Sequence, residues 1–190
     1  MVRMRVALLL IASSLLLCAT GVAHAADWRM DVAGSKLEYI AAFQKTRVSG
    51  TFKDFDTRVR FDANRLADSL VDVTVVMASA DMIDADVNKA IQGLDWFDSA
   101  RFPRALFHAS DIRRVEENRY LARGTLTVKG VEQSIEIPVI WKEEGDTATI
   151  VGELTVKRAV FHIGLGEWAP PDVVGPDVTV KFSVRLRKAR

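Results

Sequence analysis

The chain has 190 residues, 26 basic side chains against 25 acidic ones, and a single cysteine. A net charge of +1 leaves no broad basic footprint, which excludes general nucleic-acid binding. One cysteine excludes a disulfide framework within the chain, so the fold must be held by packing.

The first segment pairs Arg3 and Arg5 with an apolar run from Val6 to Leu17 that is too short and wrongly flanked to span a bilayer. This is the pattern of a secretory signal, and the small residues of Ala23-His24-Ala25 place cleavage after Ala25. Lipidation at Cys18 would need a small residue before it, and Leu17 is large. The expected mature chain is residues 26–190, a single exported domain without cysteine. Arg3 and Arg5 leave with the signal and no acidic residue does, so its net charge is −1. No later stretch is apolar for long enough to cross a membrane.

Most of the rest alternates apolar and polar residues with a period of two, as a sheet wet on one face requires. Lys36 to Phe43 is the first such stretch, in a weak form. Phe55, Thr57, Val59 and Phe61 then share one face against Asp56, Arg58, Arg60 and Asp62, and Val71, Val73, Val75 and Met77 repeat the pattern. The spacing of Val87, Ala90, Ile91 and Leu94 predicts a helix over Asp84 to Phe97, with Asp81 or Asp84 as N-cap and Gly93 near its end. It runs into Asp95-Trp96-Phe97-Asp98, whose aromatics either plug the end of the sheet or form a lid over an opening.

Further strands are predicted at Arg104 to Arg113, Tyr120 to Lys129, Gln133 to Lys142 and Thr147 to Lys157. The turns Glu116-Glu117-Asn118, Lys129-Gly130 and Glu143-Glu144-Gly145-Asp146 join them as antiparallel neighbours. Pro138 should mark a bulge or a point without ladder pairing. Val178 to Arg187 alternates cleanly, and the basic tail beyond Arg185 reads as the outward face of that strand rather than a partner patch. About eight antiparallel strands with one apolar face must close or stack. Their length favours an all-β closed barrel with a short helical insertion, and no Cys-Trp-Cys pattern supports an immunoglobulin-type sandwich. Such a barrel is either packed solid or holds one small ligand.

Leu126-Thr127-Val128-Lys129-Gly130-Val131-Glu132-Gln133-Ser134-Ile135 resembles the hairpin signature of the YceI family. Gly50-Thr51-Phe52 with Phe55, and Leu94 to Asp98 with Phe102-Pro103 and Phe107, resemble two further elements of that family. Lys157-Arg158, Phe161, Ile163-Gly164, Gly166-Glu167-Trp168 and Val174-Gly175 resemble the closing motif of the branch with a Gly-x-Gly-Glu-Trp ending. The resemblance implies a lipocalin-like barrel of exported periplasmic proteins, with a long tunnel for polyisoprenoids or related lipids, including isoprenoid quinones. Gly34-Ser35 and Gln44-Lys45-Thr46 stand where many members carry histidine, and His162 where the closing motif usually has glycine. No polar head-group contact is therefore carried over.

An isoprenoid chain offers almost nothing to hydrogen-bond, and a buried five-carbon unit is worth about 4 kcal/mol before entropy costs. The expected site is thus a wall of large inward residues: Phe43, Phe52, Phe61, Val73, Val75, Phe107, Leu126 and Phe161. Each would serve equally as plain core. Trp96, Phe97 and Trp168 come from irregular segments and are expected at the opening or its lid, while Met77 and Met82 are gap-fillers. No cofactor, metal site or catalytic residue is expected: the mature chain keeps only His108 and His162, and it has no Gly-x-Ser-x-Gly elbow. Two other functions compete with a lipid binder, an enzyme acting on the same lipids and an interaction module with a solid barrel. The edge strands or the basic tail could support a homodimer, which no feature requires.

Overall fold

The computed structural model describes residues 25–189; the expected signal segment and Cys18 lie outside the described residues. Its strands are β1 (Ala26–Phe43), β2 (Thr46–Phe52), β3 (Phe55–Phe61), β4 (Leu70–Val76) and β5 (Ala80–Asp81). The helix α1 (Ala85–Ile91) follows, then β6 (Arg104–Glu116), β7 (Arg119–Val128), β8 (Val131–Glu144), β9 (Thr147–Lys157) and β10 (Asp177–Lys188). In β3 the alternation read from sequence is obeyed without exception, with Phe55, Thr57, Val59 and Phe61 buried and the three residues between them exposed.

All pairings are antiparallel, and the sheet closes on itself where β10 pairs with β1. β2 and β3 lie on the same side of β1, with Glu38 opposite Thr51 and Trp28 opposite Val59, so together they act as one interrupted strand. β5 and β4 continue that relationship against β2 and β3. The ten segments therefore make an all-β, eight-stranded, antiparallel, lipocalin-like barrel with one helix. Closure removes the free edges that an open sheet would expose.

Several local expectations need correction. β1 starts ten residues before Lys36 and breaks register between Asp31 and Lys36, a stretch whose polar and small residues hide the alternation. Met77 leaves the strand and begins a short 3-10 turn. The helix ends at Ile91 rather than reaching Phe97. Asp84 caps it by accepting from the Asp86 and Val87 amides, and past Gly93 the chain folds back so that the Phe97 amide donates to the Ile91 carbonyl at 3.0 Å. For Pro138 only the bulge is ruled out: it pairs with Leu121 of β7, but the ladder from β8 to β9 starts one residue later, at Val139, so on that side it meets the expected point without ladder pairing. The missing N–H is tolerated on that unpaired side.

The two ends of the barrel differ. At one end, Trp28, Phe61, Tyr120 and Trp141 form a packed aromatic floor. At the other lie the turn at Gln44 and Lys45, α1, the Lys129-Gly130 turn and the irregular segment between β9 and β10. The basic tail pairs on the outer surface. Arg187 donates to Asp31 at 2.8 and 3.0 Å, and this bond holds the Asp31 carboxyl below its usual range.

Candidate functional site

The inward residues do not fill the barrel. They surround one cavity of about 460 Å³, and its wall is made of aliphatic and aromatic side chains from every strand of the closed sheet except β5. This volume falls in the range of small-molecule sites. Thr57, Tyr39, Tyr120 and Arg158 are the wall residues that carry a hydroxyl or a charge. Burial raises the Tyr39 phenol above its ordinary value, with the Asp81 charge adding to the effect, so the group stays neutral. Its hydroxyl and the Thr57 Oγ1 are covered by neighbours and have no partner among the described residues.

All eleven residues singled out from sequence border this cavity: Phe43, Phe52, Phe61, Val73, Val75, Trp96, Phe97, Phe107, Leu126, Phe161 and Trp168. They occupy different depths. Phe61 belongs to the floor, while Val73, Phe107 and Leu126 form the mid-wall, Val73 opposite Phe107 and Phe107 opposite Leu126 in the ladders. Phe43, Trp96 and Trp168 form a chain of rings across the mouth, with Trp168 centroids 6.5 Å from Phe43 and 5.7 Å from Trp96. Phe97 turns inward and meets Phe52 at 6.0 Å. Met77 and Met82 also touch the cavity.

Sequence reading missed the other floor residues, Trp28, Tyr120 and Trp141, although Ile135, Ile137, Val139 and Trp141 share one face of β8 by simple alternation. It also missed Arg158, which carries no such signal. Arg158 is 4% exposed, and none of its acceptors is a carboxylate. Nε donates to the Gly175 carbonyl, Nη1 to those of Ile163 and Gly164, and Nη2 to those of Trp168, Ala169 and Val174, at 2.6 to 3.1 Å. The guanidinium thus supplies the donors that the irregular segment cannot find in a ladder. Burial lowers its pKa.

A second cation ties this segment to the turn after α1. Lys129 Nζ donates to the carbonyls of Leu94 at 2.7 Å and His162 at 2.8 Å, and the Asp95 carbonyl accepts from the amides of Gly164 and Leu165. Burial lowers the Lys129 pKa, opposed by the charges of Asp98 and Asp95. His162 has φ 54, the left-handed conformation that glycine adopts at no cost, so the histidine is accommodated there with some backbone strain. The two histidines serve separate places. His108 lies on the outer face of β6 with Nδ1 2.7 Å from Asp72, and His162 ends a 3-10 turn over Arg158–Phe161 at the mouth.

The YceI-like domain profile matches residues 28–186, from the start of β1 to the end of β10. A UPF0312 protein of Photorhabdus laumondii is 33% identical over 129 residues, a match covering 66% of each chain. The crystal structure of Burkholderia cenocepacia BcnA superposes with a TM-score of 0.80 at 34% identity and covers 82% of this chain and 98% of that one. A polyisoprenoid binding domain from Saccharophagus degradans, implicated in plant cell wall breakdown, shares the fold at a TM-score of 0.69 and 13% identity, covering 88% of this chain and all of that one. A profile match across the whole barrel places the chain in the YceI family.

Proposed function

We propose that this protein is an exported periplasmic carrier that holds one long apolar ligand, a polyisoprenoid or an isoprenoid quinone, inside its barrel for storage or transport. The observation that carries this reading is the cavity itself: about 460 Å³ enclosed by hydrocarbon side chains in a closed sheet. A barrel built as a solid interaction module would fill that space, since protein interiors pack to crystal density. A wall whose few polar groups are either covered, as at Tyr39 and Thr57, or already bonded, as at Arg158, suits binding better than catalysis. The described relative from Saccharophagus degradans points to the same ligand class. Export is supported by the Ala23-His24-Ala25 triplet, and β1 starts at Ala26, next to the expected cleavage point. Among the described residues, no helix is long and apolar enough to cross a membrane.

Purification under non-denaturing conditions, extraction with organic solvent and mass spectrometry should yield an isoprenoid lipid at near-stoichiometric amount. A ligand-free protein that also fails to take up added isoprenoids would overturn the proposal. Turnover of an added isoprenoid would replace the carrier with an enzyme on the same lipids.

A further inference from the structure

Four aromatic rings seal the end of the cavity opposite the mouth. The Phe61 centroid lies 4.5 Å from that of Trp141 and 5.0 Å from that of Tyr120, and Trp141 meets Trp28 edge-on at 5.3 Å. They come from four different strands, β1, β3, β7 and β8, so the plug crosses the barrel rather than lining one side. Their exposure runs from 1% for Trp28 to 6% for Phe61. Phe61, Tyr120 and Trp141 form the inner surface of this floor, and Trp28 backs them.

Above the floor, the wall has no open partner for a polar head group. Arg158 is the one formally charged residue on it, and its five N–H groups face six carbonyl oxygens. No hydrogen is left for a phosphate or a carboxylate. The hydroxyl oxygens of Tyr39 and Thr57 are covered. A head group drawn inside would give up its water and gain nothing, a penalty largest for a charged one.

On the lipid-carrier reading above, we infer that the ligand enters tail first and stops at Phe61, Tyr120 and Trp141, with its head left at the mouth. The floor is then a length gauge, and the barrel selects by tail rather than by head. At about 3.3 Å per residue and a strand tilt of about 40°, the eight steps of β7 from Val128 at the mouth to Tyr120 descend about 20 Å. An extended chain advances about 1.2 Å per bond, so an isoprene unit spans about 5 Å and about four units reach the floor.

The test uses the mature protein and measures affinity for geraniol, farnesol, geranylgeraniol and a longer polyprenol by displacement of a fluorescent apolar probe. Affinity should rise with each unit up to geranylgeraniol and stay within about threefold beyond it. Geranylgeranyl phosphate should bind within about threefold of the alcohol. Phe61→Ala should move the plateau to a longer tail. Val73→Phe, which narrows the mid-wall and leaves the floor intact, should move it to a shorter one and carries the test alone if the first variant does not fold. The gauge is overturned if affinity keeps rising with tail length, if the plateau stays put in the folded variants, or if the phosphate binds more than about thirtyfold better or worse than the alcohol. Each of those results leaves the carrier reading standing. Failure of every isoprenoid to bind the unmodified protein overturns both.

Discussion

The Arg158 Nη1 donates to the Gly164 carbonyl at 2.6 Å, and a Cβ on Gly164 would lie 2.5 Å from that same nitrogen. Gly164 also has φ +71, so two independent constraints select glycine beside the buried guanidinium. One residue supplies the donors for the segment between β9 and β10, and the other supplies the space for them.

These two positions should therefore be coupled. Arg158→Met should cost about 3 kcal/mol, because buried carbonyls lose their donors, and Gly164→Ala about 2 kcal/mol from the clash and the left-handed backbone. With Arg158 already replaced, the clash disappears, and the double variant should lose about 1 kcal/mol less than the sum. Urea denaturation of the four proteins measures this; strictly additive losses would show that the guanidinium does not limit Gly164.

Ile83 is 95% exposed and has φ 74, an uncommon conformation for a β-branched residue. Its amide donates to Asp81 Oδ1 at 2.9 Å, which holds the turn before α1 in place. Ile83→Asn keeps that amide and tolerates the left-handed backbone, so it should raise stability by about 0.5–1 kcal/mol. A thermal melt that moves downward would contradict this.

Asp81 should dominate the acid response of the same region. Hydrogen bonds from Lys53, from Asn88 and from the Ile83 amide lower its pKa to about 2 from 3.8. A depressed carboxylate stabilises the fold fully above its unfolded pKa and loses that contribution as pH falls through its folded one. The melting-temperature gap between the unmodified protein and Asp81→Asn should thus be constant above about pH 5 and shrink as pH falls from about 4 to 2. A gap independent of pH would assign the loss to packing.

Thr57 and Tyr39 place oxygens in the barrel wall without partners among the described residues. Thr57→Val keeps the side-chain shape and removes a buried hydroxyl, so it should leave stability unchanged or raise it by up to about 1 kcal/mol, as should Tyr39→Phe. Chemical denaturation of the ligand-free protein checks both. A loss beyond about 1 kcal/mol would show that a bridging water satisfies the hydroxyl.

How legible each part was depended on the range of the interaction behind it. Alternation marked β3 and β10 because each residue's face follows from its immediate neighbours. β2 was missed as a strand: Thr46 to Phe52 puts Gly50 where Tyr39 lies across it, and that glycine erases one inward apolar position. The helix was placed correctly at Asp84 but drawn too long, since Leu94 keeps the spacing while Gly93 begins the turn. The candidate wall residues were readable as inward positions. Nothing local told apart a residue at a cavity from the same residue in a packed core.

The amino-acid sequence by itself determined an all-β chain with one short helix, inward apolar faces and aromatic residues in the irregular segments. These properties follow from side-chain period and turn chemistry, which act over a few residues. Only the tertiary structure decided that β10 closes on β1, that the enclosed space stays open, and that Trp28, Phe61, Tyr120 and Trp141 meet across one end. It also decided that Arg158 serves six backbone carbonyls instead of an anion. The reason is physical: register and closure set which distant side chains share a volume, and an empty interior is a property of that volume rather than of any residue in it.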